Sequence, residues 1–393
     1  MRGFINEVIK GIKPSGIRKL FDVADEMPDA ISLGVGEPDF ETPWHIREEG
    51  MYALQKGRTF YTSNAGMPEL REAVAEYVKR KYKLHYDPKS EICITIGGSE
   101  AIDAALRAVI NPGDEVIYPE PCYVSYEPCI RLAYGVPVKI ELTAETEFRL
   151  TPEILEAAIT PKSKILLISY PNNPTGAVME QKDLEKIAEV AKKHDLLVIS
   201  DEIYSELSYR KPHVSIASLP GMKERCVVIN GFSKAFAMTG WRLGYFLAPK
   251  ELYNGILKIH QFGIMCAPTA SQYAGIEALN EGEADVREMR TAYDERRRYL
   301  LAALKELEIP CFEPLGAFYI FPDISQFGMN SEEFCEKLLK EQKVAIVPGS
   351  AFGKCGDKHV RISYAYSLNE LKEAMERLRR FVTNLRANAA IRT

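Results

Sequence analysis

Residues 230–244 read Asn230-Gly231-Phe232-Ser233-Lys234-Ala235-Phe236-Ala237-Met238-Thr239-Gly240-Trp241-Arg242-Leu243-Gly244. A lysine sits in a polar, glycine-flanked turn, and an arginine follows within the same run. An amine so placed can form an imine with an aldehyde, and a guanidinium nearby can hold a phosphate. Alone, the run also fits a loop lysine facing water, so its surroundings decide its meaning.

It joins two strand-like stretches, Val227–Asn230 and Leu243–Ala248. Five more apolar, β-branched runs precede them: Ile92–Ile96, Glu115–Tyr118, Val138–Leu142, Lys164–Ser169 and Leu196–Ser200. Helical patterns separate several of these, for example Ser99–Ile110 and Gln181–His194. Thr151-Pro152-Glu153 opens another helix, with a capping threonine and proline in its first turn. Continuous apolar strands between amphipathic helices predict a mostly parallel sheet covered on both faces. After Asn280-Glu281-Gly282 the texture changes. A long charged helix, 285–307, leads to strand Ala317–Phe321, helix Ser331–Gln342, strands Val344–Val347 and Val360–Ser363, and a last helix opened by the capping box Ser367-Leu368-Asn369-Glu370. The expected fold class is α/β: a large domain with a seven-stranded, mostly parallel sheet between helices, plus a smaller α/β domain. The divisions expected are 1–45, a segment packing with the small domain; 46–284, the large domain; and 285–393, the small one.

Composition narrows the chemistry. At 393 residues, with 46% hydrophobic and 27% charged, the chain suits a folded protein of two domains. A net charge of −5 without a basic block argues against a nucleic-acid partner. The longest apolar runs are strand-sized, too short to span a bilayer, and the first residues have no apolar core of signal-peptide length. The 8 cysteines and 6 histidines are scattered, without metal-ligand spacing or a C-x-x-C pair. No metal site is expected, and a reduced cytoplasmic protein is.

Ligands of open parallel sheets sit beyond the carboxyl ends of the strands, and three further segments fall there. Gly97-Gly98-Ser99-Glu100 opens a helix whose free N–H groups, with the Ser99 hydroxyl, make a phosphate cradle; glycine turns before helices are also common. Tyr170-Pro171-Asn172-Asn173-Pro174-Thr175-Gly176 is either ordinary turn chemistry or a rigid mount for an amide that donates to a phenolate oxygen. Asp201-Glu202-Ile203-Tyr204 ends a buried strand, where a carboxylate is costly unless paired. A protonated pyridine nitrogen is a suitable partner, and Tyr204 can reach a phenolate on the same ring. A turn cap and a packing tyrosine are the plainer readings. An aldehyde, a phosphate, a phenolate and a pyridine nitrogen on one ring describe pyridoxal phosphate.

In that order along the chain, these segments resemble the class I/II aminotransferases of pyridoxal-phosphate fold type I, in the aspartate/aromatic subgroup. The resemblance runs from Ser32-Leu33-Gly34-Val35-Gly36-Glu37-Pro38-Asp39-Phe40 through Tyr61-Thr62-Ser63-Asn64-Ala65-Gly66 to Val360-Arg361-Ile362-Ser363. It implies that Lys234 holds the cofactor covalently and moves the substrate proton, that Asp201 pairs with the ring nitrogen, and that Asn173 and Tyr204 bond the ring oxygen. Tyr123 would stack on the ring; Gly98, Ser99, Glu100, Ser233 and Arg242 would belong to the cofactor cradle. Tyr61 would reach a neighbouring subunit's phosphate, implying a homodimer with shared sites. Arg361, with Gly36 and Asn173, would bind the substrate α-carboxylate. One departure stands out: many members carry a phosphate-binding serine three residues before the lysine, and this chain has Gly231.

The implied reaction is ping-pong transfer of an α-amino group between an L-amino acid, aspartate-type or aromatic, and a 2-oxo acid, expected to be 2-oxoglutarate. A β-eliminating C–S lyase on the same fold is the alternative. A non-enzymatic regulator is disfavoured because no DNA-binding segment is visible. Side-chain choice is expected to rest on Ile12-Lys13-Pro14-Ser15-Gly16-Ile17, Tyr61, Ser63 and the loop near Phe352.

Overall fold

The computed structural model describes residues 3–12, 27 and 29–392, with side chains to 388. Its strands are β1 Ile31–Ser32, β2 Ile92–Thr95, β3 Glu115–Glu120, β4 Val136–Glu141, β5 Ser163–Ser169, β6 Leu197–Asp201, β7 Cys226–Gly231, β8 Gly244–Leu247, β9 Tyr319–Ile320, β10 Val344–Ala345, β11 Val347–Pro348 and β12 Val360–Ser363. β2 to β8 form one 7-stranded sheet, ordered β2-β8-β7-β6-β5-β3-β4. The seven strands read from the sequence are these seven, displaced at most by a residue or two at their ends. The sheet is parallel except for β8, which runs antiparallel to both β2 and β7.

The apolar runs are continuous because both faces are covered. Leu166, Ile168, Val198 and Val228 pack into one core, while Ile165, Leu167, Ile199, Val227 and Ile229 pack into another on the opposite face. Burying such a side chain fully stabilises the fold by about 1.5–3 kcal/mol each. Helices Gly98–Val109 and Lys250–Gly263 cover the second face, and Gln181–Lys193 belongs to the first. Thr151 caps helix Pro152–Ala158 as expected, its side chain accepting from the Ile154 N–H.

A third core joins the long helix Glu283–Glu306, helix Ser331–Gln342, the final helix Leu368–Arg392 and the antiparallel sheet β11-β12-β9. The capping box forms, with Ser367 Oγ accepting from the Glu370 N–H and the Glu370 carboxylate from the Ser367 N–H. One expectation needs correction. Val344–Val347 is two strands, changing partners at Ile346: Val344–Ala345 pairs in parallel with Ile31–Ser32, and Val347–Pro348 pairs antiparallel with β12. Four consecutive apolar residues carry no mark of such a change. The β1–β10 pairing places Gly34 and Gly36 at the junction of the large sheet and the third core.

Candidate active site

Strand direction assembles the site. β2, β3, β5, β6 and β7 all end at one edge of the large sheet. Because β8 runs the other way, its beginning lies there too, and Arg242 just before it joins the ends of the others. Residues from these ends, with Gly34–Glu37 and Tyr319 and Arg361 of the third core, enclose a cavity of about 470 Å³. Clefts of about 750 and 950 Å³ lie elsewhere. Their lysines and arginines stand among carboxylates, whereas in the smaller cavity Lys234, Asp201, Arg242 and Arg361 form no direct ion pair among the described residues.

Lys234 shows its accessible surface to this cavity. Its Nζ donates to the Gly36 carbonyl at 2.5 Å and lies 5.9 and 5.8 Å from the ring centroids of Tyr204 and Phe318. No carboxylate pairs with it among the described residues. Burial lowers its amine to about 8; Glu37 and Asp201 oppose that shift, while Arg361 and Arg242 reinforce it. Asp201 is 5% exposed. Its carboxylate accepts from the Tyr126 hydroxyl at 2.7 Å and the Ile203 N–H at 3.1 Å, with no cation bonded to it among the described residues. Burial raises it to about 6, against the pull of those two donors.

Arg361 is buried, and its guanidinium lies over Tyr319 at 4.4 Å and Phe352 at 4.8 Å. It donates to Asn173 Oδ1 at 2.9 Å and to the Gly34 carbonyl, while its Nε has no partner. Among the described residues, neutral oxygens alone hold this cation. Arg242 is likewise held by carbonyls, those of Thr239 at 2.7 Å and Ile96 at 3.2 Å. Beside it, Gly97 adopts φ +98° and ψ 168°, a backbone essentially reserved for glycine. A Cβ there would also stand 2.6 Å from Arg242 Nη2. The turn thus brings the first N–H groups of helix Gly98–Val109 against the guanidinium.

The structure brings Gly36, Gly98, Ser99, Tyr123, Asn173, Asp201, Tyr204, Ser233, Lys234, Arg242 and Arg361 to the cavity wall. The Glu100 side chain does not line the cavity: its carboxylate turns away, accepting from the Ile96 N–H at 2.8 Å and meeting His260 Nδ1 at 2.6 Å. One helical position after Ser99 its side chain points back into the protein, where it ties the turn to helix Lys250–Gly263. Tyr61 is 81% exposed and does not line this chain's cavity. Of the stretch Ile12–Ile17, residues 13–17 lie outside the described residues. Gly231 has a structural reason. A Cβ there would sit 3.0 Å from the Gly244 Cα and 3.1 Å from the Leu243 carbonyl, so a serine would press on β8.

Two residues escaped the sequence reading. Tyr126 bonds Asp201, and Tyr319 bonds the Tyr204 hydroxyl at 2.7 Å. Both contacts join positions far apart in the chain, so no local spacing marks them. The only available hint was a tyrosine in the expected strand Ala317–Phe321.

Pyridoxal phosphate suits this donor set. It has an aldehyde for an amine free of ion pairing, a basic ring nitrogen for a carboxylate without a cation, and a phosphate for a helix start beside an arginine held only by carbonyls. Comparison with known proteins agrees. The family model for "Aminotransferase class I and II" matches residues 28–378. An aspartate aminotransferase of Pyrococcus abyssi is 49% identical over 93% of this chain and 95% of its own. An aromatic-amino-acid aminotransferase 2 of Thermococcus litoralis is 47% identical over 95% and 97%. The crystal structure of an aromatic aminotransferase from Pyrococcus horikoshii superposes with a TM-score of 0.89 at 47% identity, covering 93% of this chain and 99% of that one. By its strand order, by the amine and carboxylate at its strand ends and by these likenesses, the chain belongs to the class I and II aminotransferases, enzymes that use pyridoxal 5'-phosphate.

Proposed function

We propose that the enzyme moves the α-amino group of an aspartate-type or aromatic L-amino acid to 2-oxoglutarate in two alternating half-reactions. The observation that carries this is the meeting of Lys234, Asp201 and Arg361 in one cavity, none with an ion-pair partner among the described residues. Three such charges are costly unless ligands supply the missing partners.

Bound there, pyridoxal phosphate supplies an aldehyde for amines and an electron-poor ring that accepts the electron pair left when the α-hydrogen departs. Lys234 anchors it, then carries the α-proton on Nζ; an amine lowered to about 8 has a usable neutral fraction near neutral pH. Asp201 would hold the ring nitrogen protonated, its carboxylate oriented by the Tyr126 hydroxyl. Tyr204 and Asn173 would hold the ring oxygen, and Tyr123 would support the face of the ring. Gly98, Ser99, Ser233 and Arg242 take the phosphate. Arg361 binds the substrate carboxylate through its planar fork, which the rings of Tyr319 and Phe352 hold in place, with Gly36 and Asn173 beside it.

Exposed Trp44, Phe60, Tyr61 and Phe262, at 59%, 82%, 81% and 84%, support a homodimer in which Tyr61 completes the partner's phosphate site. Eight free cysteines support a reducing, cytoplasmic setting. No helix among the described residues is long and apolar enough to cross a membrane.

The test is a single half-reaction. Adding a donor amino acid without acceptor should convert the bound cofactor's absorbance to that of its amine form, and 2-oxoglutarate should restore it. Release of pyruvate and ammonia, or no spectral change with any aspartate-type or aromatic donor, would sink the reading.

A further inference from the structure

The side chain on which the site turns is one that no local motif marks. Tyr319 stands on β9 opposite Ser363 of β12. Side chains two apart on a strand share a face, so Tyr319 is also a diagonal neighbour of Arg361. Its ring lies beneath that guanidinium at 4.4 Å. Its hydroxyl meets the Tyr204 hydroxyl at 2.7 Å, and a Cβ at Gly36 would collide with the same hydroxyl. Tyr319 is 0% exposed and Tyr204 4%, yet both line the cavity.

A phenol has a single proton to give. If Tyr204 gave its proton to Tyr319, it would have none for a ligand in the cavity, and the Tyr319 proton would lack an acceptor among the described residues. The reverse direction satisfies both groups. Tyr319 donates to the Tyr204 oxygen, and the Tyr204 proton points to the cavity. The cation on the face of Tyr319 favours this direction, because a nearby positive charge makes a phenol a stronger donor. The other titratable groups facing the pair are Lys234, Asp201 and Tyr123.

We propose that Tyr319 is a positioning residue that couples the Arg361 carboxylate clamp to Tyr204, its ring carrying the guanidinium and its hydroxyl freeing the Tyr204 proton for the cofactor's ring oxygen. This rests on the roles given above to Tyr204 and Arg361. A donor reinforced in this way makes the ring oxygen less basic, and so loosens the proton shared with the neighbouring nitrogen of the Lys234 linkage. Substrate bound at Arg361 withdraws positive charge from the Tyr319 face, so the clamp and the ring-oxygen donor sense one another through one side chain.

The experiment is a pH titration of the bound cofactor's absorbance in the holoenzyme, for the wild type, Tyr319→Phe, Tyr204→Phe and the double variant. Tyr319→Phe keeps the ring and removes one hydroxyl. It should raise the titration midpoint by about half a unit, while Tyr204→Phe raises it by about one unit. The double variant should match Tyr204→Phe, because without the Tyr204 hydroxyl Tyr319 has nothing to act through. Replacing Tyr319 by 3-fluorotyrosine, nearly isosteric and a stronger donor, should move the midpoint down, and this covers the case in which Tyr319→Phe packs poorly. A shift for Tyr204→Phe with none for Tyr319→Phe or the fluorinated residue overturns the proposal alone, as do additive shifts in the double variant. No shift for Tyr204→Phe overturns the role assigned to Tyr204 itself.

Discussion

Two buried ionisable groups make the cofactor-free protein a pH-sensitive object. Asp201 is raised to about 6 by burial. As pH climbs from about 3.9 to about 6, the folded state keeps a proton that the unfolded chain has lost, so this residue's contribution to stability falls through that window. Lys234 is lowered to about 8 by burial. From about pH 8 to about 10.4 the unfolded chain holds the extra proton, so stability recovers as pH rises. For these two groups the cofactor-free enzyme is weakest between about pH 6 and 8, where both are charged and unpaired. Thermal melts of cofactor-free wild type against the Asp201→Asn, Lys234→Ala double variant should show the largest deficit there; a pH-independent difference would refute this. Arg361→Lys keeps the charge and loses the fork. KM for the donor amino acid should rise about 10–100-fold with a smaller change in kcat, and steady-state kinetics will show whether it does.

At the scale of elements, the strand-end turns hold the chemistry. Gly97→Ala places a Cβ 2.6 Å from Arg242 Nη2 in a backbone region that L-residues avoid. It should cost about 1–3 kcal/mol of stability and weaken cofactor affinity, measured by denaturant melts and by fluorescence titration with pyridoxal phosphate. Normal affinity in a destabilised variant would separate the turn from phosphate binding.

Elements were also where sequence reading succeeded most. Residues buried on both faces of a parallel sheet must be apolar without alternation, so β5, β6 and β7 announced themselves most clearly, whereas the half-exposed edge strand β4 carries Lys139 and Glu141 among its apolar residues. Local chemistry likewise pointed to Lys234, Asp201, Asn173 and Ser99, because each lies at a strand end or in the turn or helix start just beyond one. Contacts that depend on which distant strands become neighbours left no trace. Tyr126 against Asp201, Tyr319 against Tyr204 and the change of partner at Ile346 are all of this kind. The direction of the Glu100 side chain was hidden for a subtler reason. One helical position separates facing a ligand from facing the interior, and glycine-rich turns do not fix that rotation in advance.

At the scale of the whole molecule, the proposed sharing of sites between two subunits has an arithmetic consequence. In the proposed dimer, Lys234→Ala subunits would lack the anchor, and Tyr61→Ala subunits would lack the residue each lends its partner. Unfolded and reassembled together, a hybrid dimer contains one site with both defects and one with neither. If half the dimers are hybrids with one intact site in two, activity should return to about a quarter of the wild type. No recovery, with hybrids demonstrated by mass spectrometry, would place Tyr61 outside the partner's site.

The pairing of β1 with β10 reaches further than its two residues per strand suggest. It fixes the stretch whose carbonyls at Gly34 and Gly36 accept from Arg361 and Lys234. Groups supplied early in the chain are therefore aligned by a strand that emerges from the ribosome nearly last. A nascent chain can complete its large sheet and still lack a usable pocket until the segment carrying Val344 to Ser363 has been translated. Chaperone-free synthesis in which cofactor is captured long before that point would be hard to square with this geometry.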